Sequence, residues 1–341
     1  YYASRGLGDV YKRQAYNTRI VAPPHGSMLP MSPVRKNILM VACALGLLIP
    51  VVIIFICENM NTRVRGRKDL ESVTVPFIGE IPLFTRKKKG IFRKKPQEVR
   101  AIVVKEGSRD IINEAFRVLR TNLEFMTGKD KASNVIIVTS FNPGSGKSFL
   151  TMNIAVSFAI KGKKVLVIDG DLRHGSASSY IDSPTKGLSD YLGGRIDNLN
   201  EIIVTNPKQK YLDILPVGTI PPNPTELLFD DRLKQVIDTV REQYEYVLID
   251  CPPIELVADT QIIEKLADRT IFVVRAGLLE LSMLAELEKI YGEKKYKNMS
   301  LILNGTEGSG GRYGYRYGYR YGYHYGYGSE YHYGSDEKYI E

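Results

Sequence analysis

A β-branched run followed at once by a glycine-rich turn occupies residues 134–148, Asn-Val-Ile-Ile-Val-Thr-Ser-Phe-Asn-Pro-Gly-Ser-Gly-Lys-Ser. The run from Val135 to Val138 predicts a buried strand, and the segment from Ser148 to Ile160 predicts a helix. Small residues between them allow consecutive backbone N–H groups to face a polyphosphate, and the positive end of the helix dipole adds to the attraction. This order of strand, loop and helix predicts a phosphate-binding loop in an α/β domain.

The turn and the first helical residues supply the predicted nucleotide contacts, which are Asn142, Pro143, Gly144, Ser145, Gly146, Lys147, Ser148 and Phe149. In such a loop the lysine reaches the β- and γ-phosphates and the next hydroxyl binds Mg²⁺, so ATP and Mg²⁺ are the expected cofactors. Phe141 departs from the full pattern, which has glycine at that position. The alternative interpretation is an ordinary glycine-rich turn with a solvated lysine.

Two further apolar runs end in acidic residues. Residues 165–168 lead into Asp169, Asp171 and Arg173, and residues 246–249 lead into Asp250. Because open parallel sheets bind ligands at the carboxyl ends of their strands, we expect the three acids to meet Lys147 around one Mg-nucleotide. Each acid alone is equally typical of a polar strand cap, but the three together favour the nucleotide site.

These three stretches resemble the Walker A, A′ and B motifs of bacterial tyrosine kinases, the cytoplasmic part of capsule and exopolysaccharide co-polymerases. Four more stretches are similar to that family: Glu-Ala-Phe-Arg-Val-Leu-Arg-Thr-Asn-Leu at 114–123, Gly-Leu-Ser-Asp-Tyr-Leu-Gly at 187–193, Leu-Asp-Ile-Leu-Pro-Val-Gly at 212–218 and Pro-Pro-Asn-Pro-Thr-Glu-Leu-Leu at 221–228. The resemblance extends from about Pro23 to the C-terminus.

The resemblance implies a role for each site residue. Asp169 is the candidate that accepts the tyrosine proton, although Asp169 and Asp171 could exchange roles. Ser148, Asp171 and Asp250 would hold Mg²⁺, directly or through water, and Arg173 would orient the acids. In the wider P-loop group an asparagine at the position of Asn304 often reads the adenine base, and a simple strand cap is the alternative.

Strand-like and helix-like segments alternate from residue 134 onward, which predicts a doubly wound, mostly parallel α/β sheet of the P-loop type. Within that type the resemblance points to the deviant Walker group that also contains the MinD and ParA proteins. The chain has three cysteines, and their spacing predicts neither a disulfide framework nor a zinc site.

The segment from Ile38 to Cys57 is twenty residues long without a charge, so a helix of this length spans the hydrocarbon core of a bilayer. A signal peptide or a buried core helix is the alternative. Four basic residues at 63–68 outnumber Arg35 and Lys36 on the other side, which predicts that the C-terminal part lies in the cytoplasm. The resemblance implies that the membrane is a bacterial inner membrane. Seven positive charges within residues 86–95 favour contact with anionic lipid, and no nucleic acid is expected.

A helix predicted at about Asp110 to Met126 has an apolar stripe, with Glu114, Arg117 and Arg120 off that stripe on a more exposed side. A solvated face is the plain interpretation. The resemblance implies that these three residues form the contact between neighbouring subunits in a ring, and bidentate arginine pairing gives a physical reason.

The C-terminal tract alternates tyrosine and glycine and has almost no aliphatic residues, so it cannot bury a core and is predicted to be disordered. Its formal charge is near zero, and full phosphorylation would bring it to roughly −16 to −22. A sticky or nucleic-acid-binding tract is the alternative. The resemblance identifies its tyrosines as phosphoacceptors: Tyr313, Tyr315, Tyr317, Tyr319, Tyr321, Tyr323, Tyr325, Tyr327, Tyr331, Tyr333 and Tyr339.

The predicted domains are 1–14 (a non-native fragment end), 15–37 (the Pro-containing end of a periplasmic region), 38–57 (the transmembrane helix), 58–105 (a basic linker on the inner leaflet), 106–308 (the kinase domain) and 309–341 (the tyrosine cluster). The chain as a whole is interpreted as an N-terminally truncated co-polymerase.

The expected function is ATP-dependent autophosphorylation of the tail in trans, which regulates polysaccharide polymerisation and export. Expected partners are further copies of the chain, membrane lipid, a tyrosine phosphatase and export proteins. The alternatives are a partitioning-type P-loop ATPase and a catalytically weak membrane scaffold.

Overall fold

The computed structural model describes residues 35–59, 62–84, 101–128, 134–206, 209–254 and 258–307. The chain divides into two units, residues 1–61 and 62–341. The predicted fragment end, nearly all of the Pro-containing segment, the basic cluster at 86–95 and the tyrosine tail lie outside the described residues.

The first unit contributes helix α1 (Arg35–Asn59), which includes the apolar segment expected to be helical. Of this helix, Arg35–Ile56 has 22 residues with a mean hydropathy of 3.0, so by length and composition it is able to cross a membrane. Pro50 lies inside the helix. Its large apolar side chains are exposed, as they would be when surrounded by lipid.

The second unit is built on an eight-stranded sheet in the order β1-β8-β7-β2-β6-β3-β5-β4. All neighbouring strands are parallel except β4 and β5. The strands are β1 (Phe77–Pro82), β2 (Val135–Thr139), β3 (Val165–Asp169), β4 (Val204–Thr205), β5 (Leu212–Leu215), β6 (Tyr246–Asp250), β7 (Arg269–Arg275) and β8 (Ser300–Thr306).

Helices cover both faces of this sheet, since the buried apolar residues form two clusters with different helices in each. Helices α2 and α3 contribute to one cluster, and α4, α5, α6, α7 and α8 contribute to the other. The doubly wound, mostly parallel α/β fold is therefore confirmed. The helices are α2 (Ile111–Thr127), α3 (Lys147–Ala159), α4 (Leu188–Leu192), α5 (Pro224–Leu228), α6 (Asp231–Gln243), α7 (Asp259–Glu264) and α8 (Met283–Gly292).

The segment predicted as a linker on the membrane contains part of this domain. Residues 77–82 form the edge strand β1, which pairs in parallel with β8. Gly79 permits this packing, because a Cβ there would lie 3.3 Å from Leu119 Cδ1 of α2. Upstream, the Asp69 carboxylate accepts hydrogen bonds from the backbone N–H groups of Arg65 and Gly66. The structured domain thus begins well before residue 106.

Helix α2 places the three predicted contact residues differently from the expectation. Glu114 and Arg117 are half-buried and form an ion pair with each other. Arg120 is buried, and its guanidinium donates to the carbonyl and hydroxyl oxygens of Ser157 on α3. The expectation that Arg120 lies on an exposed side is wrong, because α2 packs directly against α3 at this turn.

Candidate active site

Three neighbouring strands at the centre of the sheet end at one place. Strands β2, β6 and β3 are adjacent, and their register pairs Val138 with Asp250 and Asp169 with Asp250. Neighbouring strands lie about 4.8 Å apart, so the two carboxylates start from adjacent backbone positions. The phosphate loop follows β2 directly and therefore lies beside both acids.

The loop is shaped by two left-handed glycines, Gly144 with φ 75° and Gly146 with φ 89°, a conformation that L side chains rarely adopt. Asn304 of β8 donates from Nδ2 to the Ser145 carbonyl at 2.8 Å. A Cβ at Gly146 would lie 2.2 Å from Asn304 Nδ2 and 3.4 Å from a guanidinium nitrogen of Arg275. The loop thus fits closely against the ends of β7 and β8.

Phe141 does not disturb this loop. Its side chain is buried and packs edge-on against Phe272 of β7, with ring centroids 4.9 Å apart. Its φ is not in the left-handed region. A side chain is therefore tolerated where the full pattern has glycine, because the position faces the core.

Asp250 is buried, and neither of its carboxylate oxygens has a geometrically sound hydrogen bond among the described residues. Burial raises its pKa to about 8, and the neighbouring Asp169 carboxylate adds to that rise. The Ser148 hydroxyl and the Lys147 ammonium act on this pKa in the opposite direction, so both groups lie close to Asp250. The loop after Asp250 is fixed by the hydroxyls of Thr139 and Thr260, which both donate to the Pro252 carbonyl.

Asp169 is also buried, and burial raises its pKa to about 6. Its Oδ2 accepts hydrogen bonds of 2.6 Å from both the backbone N–H and the hydroxyl of Ser178. These two bonds lower its pKa, against the effect of burial. Oδ1 makes no hydrogen bond of sound geometry within the described ranges. Gly170 allows the ends of β3 and β6 to approach, because a Cβ there would lie only 3.1 Å from the Asp250 carbonyl oxygen, which accepts the Gly170 N–H at 2.9 Å.

Asp171 begins a turn in which its Oδ1 accepts the backbone N–H groups of Arg173 and His174, each at 3.2 Å. The Arg173 side chain points elsewhere. Its guanidinium donates to the buried carboxylate of Asp259 at 3.0 Å and to the Thr225 hydroxyl, also at 3.0 Å. The structure therefore pairs Arg173 with Asp259 rather than with the three acids that it was expected to orient.

The residues present fit a magnesium-bound nucleotide. Lys147 and Ser148 begin α3 beside Asp250, whose two buried oxygens lack partners in the described chain. No group of three His, Cys, Asp or Glu side chains in the described ranges is arranged to hold a metal alone. Mg²⁺ at nucleotide sites is typically held by one or two carboxylates together with phosphate oxygens and water, so this arrangement suits it. Lys147, Ser148, Asp169, Asp171 and Asp250 are the residues that the structure brings together.

Two predicted nucleotide contacts have other partners. Phe149 packs edge-on against Phe116 of α2, with ring centroids 6.1 Å apart. Asn304 lies inside β8 rather than at its end, and its Nδ2 binds the loop carbonyl described above. A contact between Asn304 and adenine stays a prediction.

Comparison with known proteins agrees with this geometry. A family model described as an AAA domain matches residues 133–301. Tyrosine-protein kinase YwqD of Bacillus subtilis is 35% identical over 209 residues, which cover 61% of this chain and 87% of YwqD. The chain belongs to the bacterial tyrosine-protein kinase family.

Within that family the kinase domain of the Escherichia coli tyrosine kinase ETK is 29% identical, with a TM-score of 0.63, and the match covers 77% of this chain and all of that domain. A relative from Klebsiella pneumoniae, whose name assigns it to the cps region, is 29% identical over 265 residues, 76% of this chain. The chain spans 36% of the length of that relative.

Two of the stretches that resemble the bacterial tyrosine kinases, 187–193 and 212–218, lie against each other. Asp190 accepts hydrogen bonds from the N–H groups of Gly187 and Thr219. A Cβ at Gly218 would lie 2.2 Å from that same carboxylate. Through Val217, this assembly also reaches Ser178 beside Asp169.

Sequence patterns did not reveal Ser178, Thr225, Asp259 or Arg275. Ser178 contacts Asp169, Arg275 lies against the phosphate loop, and Thr225 and Asp259 bind Arg173, all through tertiary contacts that no local spacing marks. The one available signal was for Thr225, which lies inside a stretch similar to the family.

Proposed function

We propose that this chain is an ATP-dependent protein-tyrosine kinase that phosphorylates the tyrosines of its own C-terminal tract. The observation that carries the proposal is the convergence of Lys147, Ser148, Asp169 and Asp250 at the ends of adjacent strands. Membership in the bacterial tyrosine kinase family supports it.

The chemistry assigned to the site is transfer of the γ-phosphoryl group. A tyrosine oxygen forms a bond to the γ-phosphorus while the bond to the β,γ-bridging oxygen breaks, and ADP leaves with that electron pair. Lys147 and the loop N–H groups offset phosphate charge, and Asp169 takes the tyrosine proton. Bound Mg²⁺ would supply further charge neutralisation at the phosphates, held by Ser148, Asp250 and Asp171.

The tyrosines of residues 313–339 are the proposed acceptors. A flexible thirty-residue tail has a root-mean-square reach of about 30 Å, so reach alone permits transfer within one chain or between chains. We favour transfer between subunits of a ring, with Arg117 and Glu114 at the contact. Both side chains are still partly exposed on α2, and an arginine is able to form bidentate pairs with a carboxylate of a neighbouring subunit.

The membrane and the export machinery are the proposed surroundings. Helix α1 is long and apolar enough to span a bilayer, with basic residues 63–68 following it. The name of the Klebsiella relative points to the cps region, so we infer a role in capsular or exopolysaccharide export at the inner membrane. A tyrosine phosphatase and the export proteins are the proposed partners.

The direct test uses purified full-length chain, dephosphorylated beforehand and then supplied with γ-labelled ATP. The proposal predicts label on tyrosine at a rate that at least matches the release of free phosphate. Release to water without tyrosine labelling would indicate a P-loop ATPase instead. Nucleotide binding without either product would indicate a scaffold.

A further inference from the structure

Ser178 lies at the first position of a short 3-10 helix (Ser178–Ile181) and is only 3% exposed. Its backbone N–H and its hydroxyl both donate to the same oxygen of Asp169, Oδ2, at 2.6 Å each. These are short hydrogen bonds, as expected when the acceptor is a carboxylate.

The direction of the hydroxyl hydrogen follows from a third bond. The backbone N–H of Val217 donates to Ser178 Oγ at 2.9 Å, and this bond is buried. A hydroxyl has one hydrogen, and Oγ already accepts from Val217, so the hydrogen of Ser178 is directed to Asp169 Oδ2. Val217 follows β5, so two other segments of the chain fix the carboxylate at the end of β3.

The consequence is that the two oxygens of Asp169 are not equivalent. Oδ2 accepts two hydrogen bonds, which is about the number of lone pairs that one carboxylate oxygen offers. Oδ1 is buried and makes no hydrogen bond of sound geometry in the described part of the chain, although the backbone N–H of Asp171 lies near enough to help lower the Asp169 pKa. Rotation of the carboxylate would break both bonds to Ser178, so Oδ1 is left as the oxygen that is able to accept a further proton.

We propose that Ser178 is a positioning residue for phosphoryl transfer, which fixes Asp169 so that Oδ1 alone receives the tyrosine proton. This inference rests on the proposed kinase function and on Asp169 as the proton acceptor. Proton transfer to a carboxylate requires hydrogen-bond geometry, and a misplacement of about 1 Å in an active site is able to lower the rate 100-fold.

A merely structural role for Ser178 predicts something different. Ser178 N–H begins a 3-10 helix, and that backbone bond to Asp169 persists when the side chain is changed. Removal of the hydroxyl alone therefore leaves the helix start intact and takes away one of the two bonds to Asp169 Oδ2, so the carboxylate is held less firmly. A fall in the rate of phosphoryl transfer is therefore distinguishable from a loss of folded protein.

The test compares Ser178→Ala with wild type in the full-length chain, at saturating ATP. We expect the rate of tyrosine phosphorylation to fall about 30- to 100-fold, while the affinity for a fluorescent ADP analogue stays within about twofold. Ser178→Thr, which keeps the hydroxyl, should recover most of the rate. The matched control is Ser179→Ala, since the Ser179 hydroxyl donates to the Ser176 carbonyl at 2.7 Å instead of to Asp169.

If the Ser178→Ala variant does not fold, Ser178→Cys provides the same test. Its thiol fills the same space but is a weak donor, so the rate should again fall with nucleotide affinity unchanged. A rate within threefold of wild type in a folded Ser178→Ala or Ser178→Cys variant would overturn the inference. A parallel loss of rate and nucleotide affinity would do the same. If wild type itself binds nucleotide but labels no tyrosine, the proposed kinase function fails, whatever Ser178 does.

Discussion

Asn304 of strand β8 donates its side-chain N–H to the carbonyl of Ser145, in the middle of the phosphate loop, at 2.8 Å. The bond is buried and joins residues 159 positions apart. Because Asn304 is also the register partner of Arg275 on β7, the loop is tied to two strands that carry none of the three acids. The shape of the nucleotide site therefore depends on the far half of the sheet.

Asn304→Ala should weaken nucleotide binding. The buried Ser145 carbonyl loses its partner, which costs about 1–3 kcal/mol and corresponds to roughly a 5- to 150-fold rise in the Kd of an ADP analogue. Fluorescence titration measures this. Asn198→Ala serves as the control, since Asn198 is exposed and bonds only its neighbours in the chain. An unchanged Kd in a folded Asn304→Ala variant would show that the loop keeps its shape without this bond.

The two buried acids should make the nucleotide-free protein less stable as pH rises. Burial raises the folded pKa of Asp250 to about 8 and that of Asp169 to about 6, both from a usual value of 3.8. Between pH 4 and pH 8 the unfolded chain gives up these protons first, so unfolding releases protons and stability falls with pH. The stabilising effect is complete below about pH 4 and lost above about pH 8.

Asp250→Asn isolates this effect. The amide carries no charge, so we expect a higher Tm than wild type at pH 8, by a few degrees for about 1–2 kcal/mol, and a smaller difference at pH 5. Thermal unfolding without nucleotide measures both. Activity should be lost in the same variant. Equal Tm differences at the two pH values would contradict the assignment of raised pKa values.

Arg173→Ala should destabilise the fold, because it leaves the Asp259 carboxylate, 1% exposed, without its cationic partner. We expect a loss of about 1–3 kcal/mol. Adding Asp259→Asn removes the buried charge and should restore part of the stability. Thermal unfolding of the single and double variants tests this, with Lys163→Ala as a control at an exposed ion pair that contributes little. A double variant no more stable than Arg173→Ala would argue against the pairing.

Substitutions of Arg120 and Arg117 should affect two different properties, the stability of the fold and the assembly of subunits. Arg120→Ala removes two buried bonds to Ser157 and should lower Tm. Arg117→Ala breaks a half-exposed ion pair with Glu114 and a hydrogen bond to the Ser108 carbonyl, so Tm should fall less than in Arg120→Ala, while the sedimenting mass should fall if the ring contact uses this residue. An unchanged mass for Arg117→Ala at matched salt would remove Arg117 from the proposed contact.

The sequence predicted the central strands well, since runs such as 135–139 and 246–250 are continuous, apolar and β-branched. The acids at their ends were predictable for the same reason. Strand β1 was not predicted as part of the domain, because Gly79, Pro82 and the basic cluster that follows resemble a linker. Its place is set by pairing with β8, more than two hundred residues away in the chain.

The sequence also did not predict which polar side chains are buried. Helical spacing placed Arg120 outside the apolar stripe, yet α3 covers it and one guanidinium nitrogen donates to the carbonyl and hydroxyl oxygens of Ser157. Similarly, Asn304 and Ser178 act on the site through tertiary hydrogen bonds that leave no trace in local spacing. Periodicity identifies apolar faces, but it does not identify polar groups that are buried with partners.

Lys147 and the three acids are proposed to form one phosphotransfer site for tyrosine. The most direct measurement is phosphosite mapping by mass spectrometry on purified wild type, Lys147→Met and Asp169→Asn, each dephosphorylated and then incubated with ATP and Mg²⁺. We expect phosphotyrosine within residues 313–339 of wild type only, with nucleotide binding weakened in Lys147→Met and retained in Asp169→Asn. Equal tyrosine phosphorylation in wild type and Lys147→Met would contradict this proposal.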